Sequence, residues 1–155
     1  MADTQTLIDK LAWIHLKDKK ILMALTRGKD TYYIPGGKRE AGESDHEALI
    51  REVREELSVV LRPDTIRHLD TFRAPAHGKP AGTIVQMTCY TADYDGNIAP
   101  SEEIEAVAWY AYRDKEKTGP VDQIIFDWLR ERDMLAQHFF YDVRSNKKLP
   151  RAVFV

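Results

Sequence analysis

The chain has 155 residues, 43% of them hydrophobic, and a formal net charge of −2. That length gives one domain with a core of its own, and the balanced charge excludes a protein that coats nucleic acid through a basic surface. A single cysteine excludes an intrachain disulfide and fits a reducing, cytoplasmic setting, while no apolar run approaches the roughly 20 residues that a spanning helix needs.

Met1-Ala2-Asp3-Thr4-Gln5 has neither the basic start nor the apolar stretch of a secretory leader. Residues 9–17 and 20–27 read as strands, and the polar Asp18-Lys19 between them predicts a hairpin. Tyr32-Tyr33-Ile34 reads as a short strand that Pro35-Gly36-Gly37 ends. Ser44 with Glu47 three residues on is a capping box, so a helix starts at about residue 45 and runs to about Ser58. Ala48, Leu49, Val53 and Leu57 form its buried stripe.

Residues 65–74 read as a partly exposed strand, and 75–82 as a loop rich in Pro and Gly. Residues 83–93 alternate and predict a strand in which Cys89, in step with Val85 and Met87, is a small buried hydrophobe rather than a nucleophile. Asp95-Gly96 marks a turn, and residues 105–112 form another strand. Thr118-Gly119-Pro120 opens a second helix with an apolar face of Ile124, Ile125, Trp128, Leu129 and Leu135. Strands mixed with two helices predict an α/β layer architecture.

The chemistry concentrates on the first helix. Glu52, Glu55 and Glu56 lie at i, i+3 and i+4 and share a face, and Arg51 is placed to hold Glu55. Three clustered carboxylates repel one another unless a cation sits among them. A solvated acidic helix with salt bridges is the ordinary explanation, but acids in the second half of a helix oppose its dipole and gain nothing from that placement. Hard oxygen donors with no Cys/His cluster favour Mg²⁺ or Mn²⁺, with a bare carbonyl of the Gly36-Gly37 pair as a candidate further ligand. The five histidines are scattered, and His46 on this helix faces solvent.

The segment Gly37 to Val59 resembles the Nudix box, Gly-x5-Glu-x7-Arg-Glu-U-x-Glu-Glu-x-Gly-U with U aliphatic, at Gly37, Glu43, Arg51, Glu52, Val53, Glu55, Glu56 and Val59. Ser58 replaces the second glycine, which puts the helix exit rather than the chemistry in question. The resemblance implies an αβα sandwich around a mixed sheet, with a core over about 8–136 and a C-terminal extension 137–155 in a single 1–155 domain. It implies an Mg²⁺-dependent pyrophosphohydrolase, Mn²⁺ substituting, that cleaves a nucleoside diphosphate linked to X. Glu52, Glu55, Glu56 and Gly37 would hold metal. Arg51 would position the carboxylates, and Glu52 or Glu103 would orient or deprotonate the water.

Arg27 ends the second strand, and Lys38 and Arg39 flank the Gly36-Gly37 loop; Arg27 and Lys38, ahead of Arg39, are the candidates for binding substrate phosphates. Tyr32, Tyr33, Phe72 and Trp109 could stack a base, although core packing suits each. Asp122 either resembles in position the acidic or amide residue that purine-selective members use or is a helix N-terminal acid that complements the dipole. The favoured substrate is a nucleoside triphosphate, oxidised forms such as 8-oxo-dGTP included. ADP-ribose is the alternative, in view of Pro75, and removal of pyrophosphate from RNA 5′ ends is a third option. The neutral charge offers no track for a polynucleotide. A non-catalytic nucleotide sensor is the reading of another class, set against a chain that keeps every box acid and shows no added domain. The apolar tail, Phe139-Phe140-Tyr141 and Ala152 to Val155, packs on the domain or on a second subunit, so a homodimer stays open.

Overall fold

The computed structural model describes residues 6–76 and 78–136, together with the backbone of 140–142 and 147–149. In chain order the elements are β1 (Thr6–Trp13), β2 (Leu16–Lys17), β3 (Lys20–Thr26), β4 (Gly36–Gly37), α1 (Asp45–Leu57), β5 (Val60–Leu61), β6 (Arg67–Pro75), β7 (Thr83–Thr91), β8 (Tyr94–Asp95), β9 (Ile104–Tyr110), α2 (Pro120–Glu131), β10 (Phe140–Asp142) and β11 (Lys147–Leu149). The principal sheet has the order β4-β1-β7-β6. Strands β1 and β7 run parallel, from Thr6 opposite Thr83 to Trp13 opposite Tyr90, and the other two pairings are antiparallel. A second antiparallel sheet has the order β2-β3-β9. The result is the expected α/β architecture with a mixed sheet.

The central strands are apolar on both faces. In β1, Leu11 and Trp13 enter the core beneath α1, while Ala12, followed by Ile14 just past the strand, enters the core beneath α2. In β3, Leu22 joins the first core, and Ile21 and Met23 join the second. Helix α1 contributes Ala48, Leu49, Val53 and Leu57, all fully buried, and α2 contributes Val121, Ile125, Phe126 and Leu129. Each fully buried aliphatic side chain of this kind contributes roughly 1.5–3 kcal/mol. Among the described residues, no helix is long and apolar enough to cross a membrane.

Several expectations shift in detail. The β2–β3 hairpin turns at Asp18-Lys19, where both residues adopt positive φ, as a two-residue turn between twisted strands requires. Tyr32-Tyr33-Ile34 does not form a strand; Tyr33 makes one isolated bridge to Ala24. Gly36-Gly37 pairs with β1 instead, because a glycine tolerates a close approach that no other residue could: a Cβ at Gly36 would lie 1.9 Å from the Leu11 carbonyl oxygen. In α2, Ile124 is 42% exposed, and Val121 and Phe126 take the buried places. Leu135 is buried but follows the helix. The packing of the apolar tail lies outside the described residues.

Candidate active site

Helix α1 opens as its capping box requires. The Ser44 side chain accepts from the Glu47 N–H at 3.2 Å, and the Glu47 carboxylate accepts from the Ser44 N–H at 3.2 Å. The helix closes at Ser58, in the left-handed region at φ 65°, with its hydroxyl donating to the Ala99 carbonyl at 3.1 Å. A serine thus does what the family glycine does, with a hydrogen bond offsetting part of the backbone cost.

Arg51 ties the glycine loop to the helix. Its Nε and Nη2 donate to the two Glu43 oxygens at 2.7 and 2.9 Å, a bidentate fork, and Nη2 also reaches the Lys38 carbonyl at 3.0 Å. Nη1 donates to Glu52 at 3.0 Å and to Glu55 at 3.3 Å. The expected Arg51–Glu55 pair therefore exists, but Glu43 is the stronger partner. The Arg51 hydrogen bonds hold the Glu43 carboxyl down at about 2. Glu43 matched the box, yet the sequence alone did not mark it as the residue that locks Arg51. Arg39 is committed elsewhere, to Asp9 at 2.7 Å and to Asp45, which also accepts from the Tyr90 hydroxyl at 2.8 Å.

The three helix acids occupy different environments. Glu55 is exposed. Glu52 lies against Gly37, where a Cβ would come within 2.5 Å of its carboxyl carbon. Desolvation raises its pKa, against the pull of Arg51. Glu56 accepts from the Gly36 N–H at 3.3 Å, and burial lifts its carboxyl to about 8, with the charges of Glu52 and Glu103 adding to the shift and Lys10 opposing it. Glu103 arrives from the loop before β9. That loop caps the end of α1 through Ala99 N–H to Leu57 O and Ser101 N–H to Glu56 O, each 2.9 Å. Arg27 braces the same loop, its Nε donating to the Glu102 carbonyl at 3.0 Å and its backbone N–H to the Glu103 carbonyl at 2.8 Å. Lys38 has an exposed side chain.

Among the described residues, no three Asp, Glu, His or Cys side chains converge as a metal cage. Arg51 neutralises Glu52 and Glu55 here, and Glu56 is turned to the Gly36 amide. The donors nonetheless suit a hard divalent cation. They are all oxygens, the bare Gly37 leaves space beside Glu52 that any side chain would fill, and Glu56 is a desolvated carboxylate for which a cation is a better partner than one long amide contact.

A cleft leads away from Glu56. One cavity of about 340 Å³ is lined by Gly36, Glu56, Thr26 and Lys29, and a second of about 160 Å³ by Pro75, Gly119 and Asp122. Lys10, Tyr33, Lys79 and Met87 line both, so the two adjoin. A larger open hollow of about 510 Å³, near His15, Arg62 and Tyr94, holds none of the expected site residues.

Asp122 stands in the first turn of α2, but inside the protein. It is fully buried; its Oδ2 accepts from the Ile34 N–H at 3.4 Å and its Oδ1 has no partner. Burial raises its carboxyl to about 7. Of the four aromatics considered for base stacking, Tyr33 alone lines this cleft; Tyr32 packs on Tyr110, Phe72 on Trp128 and Trp109 on His15. Lys10 and Lys79 escaped the sequence reading, although a lysine set just before the apolar run Leu11-Ala12-Trp13-Ile14 was a signal.

The NUDIX domain family model matches residues 11–130. The chain belongs to the Nudix family. Among curated relatives, an uncharacterized Nudix hydrolase, YvcI of Bacillus subtilis, is 28% identical over 115 residues, 72% of each chain. The solution structure of the ORF135 protein of E. coli is similar at a TM-score of 0.64 and 25% identity, covering 83% of this chain and 94% of that one. A MutT Nudix hydrolase of Burkholderia pseudomallei is similar at a TM-score of 0.64 and 21% identity, covering 79% and 96%. The fold also recurs, at 18% identity, in a UDP-X diphosphatase and, at 23%, in a bifunctional NMN adenylyltransferase/ADP ribose pyrophosphatase of Francisella tularensis, so fold alone does not choose the substrate of this Nudix hydrolase. Nudix hydrolases act on phosphoanhydride bonds of small-molecule nucleotides and generally use a divalent metal.

Proposed function

We propose that this Nudix hydrolase acts, as one domain over residues 1–155, on purine nucleoside triphosphates, oxidised forms such as 8-oxo-dGTP included. It would release the monophosphate and pyrophosphate. The observation that supports this reading is the single cleft running from Glu56 and Gly36 to the buried Asp122. A carboxyl poised near 7 donates to or accepts from the polar edge of a purine at one end, while the box acids face the phosphates at the other. Cavities of this combined size suit one nucleotide rather than a polymer.

In this reading Glu52, Glu55, Glu56 and the Gly37 carbonyl hold Mg²⁺, for which Mn²⁺ can substitute. When bound, the metal neutralises phosphate charge and acidifies the attacking water. Arg51 keeps the carboxylates in place while the loop and helix stay locked through Glu43. Glu103, or Glu52 with its raised pKa, takes the proton of the water. Arg27, Lys38 and the Gly36 backbone would meet the phosphates in this reading; of the three, Gly36 lines the cleft beside Glu56. Tyr33 presents its ring to the nucleoside.

ADP-ribose is the second reading, favoured by Pro75 on the rim of the Asp122 cavity. A panel of dNTPs, 8-oxo-dGTP and ADP-ribose, assayed with Mg²⁺ or Mn²⁺ for nucleoside monophosphate and for its co-product, pyrophosphate from a triphosphate or ribose 5-phosphate from ADP-ribose, separates the two. The expected result is pyrophosphate from a purine triphosphate. Uniformly low rates across the panel, or turnover undiminished by chelator, would overturn the proposal.

A further inference from the structure

Lys10 and Lys79 lie in the stretch of cleft that the two cavities share. Lys10 comes from the middle of β1, half-buried, directly opposite Met87 in the parallel β1–β7 pairing. Lys79 comes from the loop joining β6 and β7. Among the described residues, the Lys10 ammonium makes no hydrogen bond or ion pair, although the Lys10 charge acts on both Glu56 and Asp122. A lysine on a central strand that lines a cleft is well placed to meet an anionic ligand. Neither acid at the ends of the cleft is bonded to it. An ammonium on a flexible stem, unlike a guanidinium fork, suits a point contact with a phosphate oxygen.

We propose that Lys10 and Lys79 form a clamp for the phosphate attached directly to the nucleoside, so that they select and position nucleotides in this cleft. The proposal rests on the cleft assignment above: with the base at Asp122 and the scissile anhydride near Glu56, the first phosphate crosses the wall these lysines share. It follows that the clamp grips the monophosphate product as well as the substrate, and that inorganic pyrophosphate binds without it. Lys10 and Lys79 are binding residues, and their loss raises KM more than it lowers kcat.

The experiment is calorimetry of wild type, K10M, K10R and K79M with GMP, AMP, guanosine, adenosine and inorganic pyrophosphate, beside steady-state kinetics on the best substrate of the panel. Wild type should bind a monophosphate at least about 10-fold more tightly than its nucleoside, and K10M should lose about 10- to 100-fold in monophosphate affinity. K10R should recover most of it, K79M should lose a smaller factor, and pyrophosphate affinity should stay unchanged throughout. Either of two results overturns the clamp, whether or not the panel shows turnover. One is wild type binding monophosphates no better than nucleosides; the other is K10M and K79M both binding them as wild type does. Absence of turnover with monophosphate binding intact counts instead against the hydrolytic reading, so the two failures are distinguishable.

Discussion

The two helices that sandwich the sheet carry acids in opposite circumstances. On α1 the carboxylates sit among partners: Arg51 bonds Glu43, Glu52 and Glu55, and the Gly36 amide meets Glu56. On α2 a single acid, Asp122, is fully buried with one weak amide contact and one oxygen unpaired. A network of the first kind is ready to exchange its arginine contacts for a cation, although Glu56 itself, pushed up to about 8 by burial, holds its proton at neutral pH until one is bound. A lone desolvated acid of the second kind drifts toward neutrality and becomes a group that can donate a hydrogen bond. One side of the sheet is built to handle charge, the other to discriminate a polar edge.

The sharpest test of this division is catalytic. Glu56→Gln and Glu52→Gln should fold normally by circular dichroism and lose about 10²–10³-fold or more in kcat, if these desolvated groups hold the cation. Glu55→Gln, at an exposed position, should lose less; equal losses at all three sites would remove the distinction drawn between their environments.

A second test is the pH dependence of stability on the α2 side. The folded-state pKa of Asp122, about 7, lies above its unfolded value, so the unfolded chain binds fewer protons between roughly pH 4 and 7. Stability should therefore fall as pH rises through that window. Asp122→Asn removes this share and should be more stable than wild type at pH 8, by on the order of a few kcal/mol, in urea melts. Glu56, also raised, leaves a decline of the same sign in the variant. A wild type and variant with parallel pH–stability curves would mean that Asp122 is not desolvated.

Arg51→Ala should release the glycine loop, lowering the melting temperature by about 2–6 °C and weakening Mn²⁺ binding. Arg51→Lys should recover little of this, because an ammonium cannot make the fork to Glu43. The smallest effect belongs to Ser58→Gly. Relief of the left-handed conformation, about 1–2 kcal/mol, opposes loss of the Ala99 hydrogen bond, about 0.5–1.5 kcal/mol, and the greater freedom of glycine in the unfolded chain. The net change should stay within about 1 kcal/mol, read as a melting shift of a few degrees at most.

The difference between the helices also explains what the sequence disclosed. Helix α1 was legible from its cap to its charged face because capping and i, i+4 spacing are local: Ser44 acts with Glu47, and Arg51 with Glu55, each pair within about one turn. Asp122 was ambiguous because its burial depends on Ile34, 88 residues away. Gly36-Gly37 looked like the end of a strand and proved to be one, since its partner, β1, is remote in sequence. The α/β class followed from alternation and periodicity, but the order β4-β1-β7-β6 is set by long-range pairing that no window of sequence contains. Lys10 and Lys79 were missed for the same reason: only the fold brings a mid-strand lysine and a loop lysine to one wall.

The parallel pairing of β1 with β7 has a consequence for how the protein is born. Each residue of β1 meets one 77 positions further along the chain, as Thr6 meets Thr83. All of α1, with its acids and Arg51, is synthesised before Thr83 to Thr91 exist to flank β1. The nascent intermediate thus displays an amphipathic helix with no finished floor beneath its apolar stripe, and closing so long a loop is slow. Synthesis rate and chaperone supply, rather than final stability, should govern the yield of active protein.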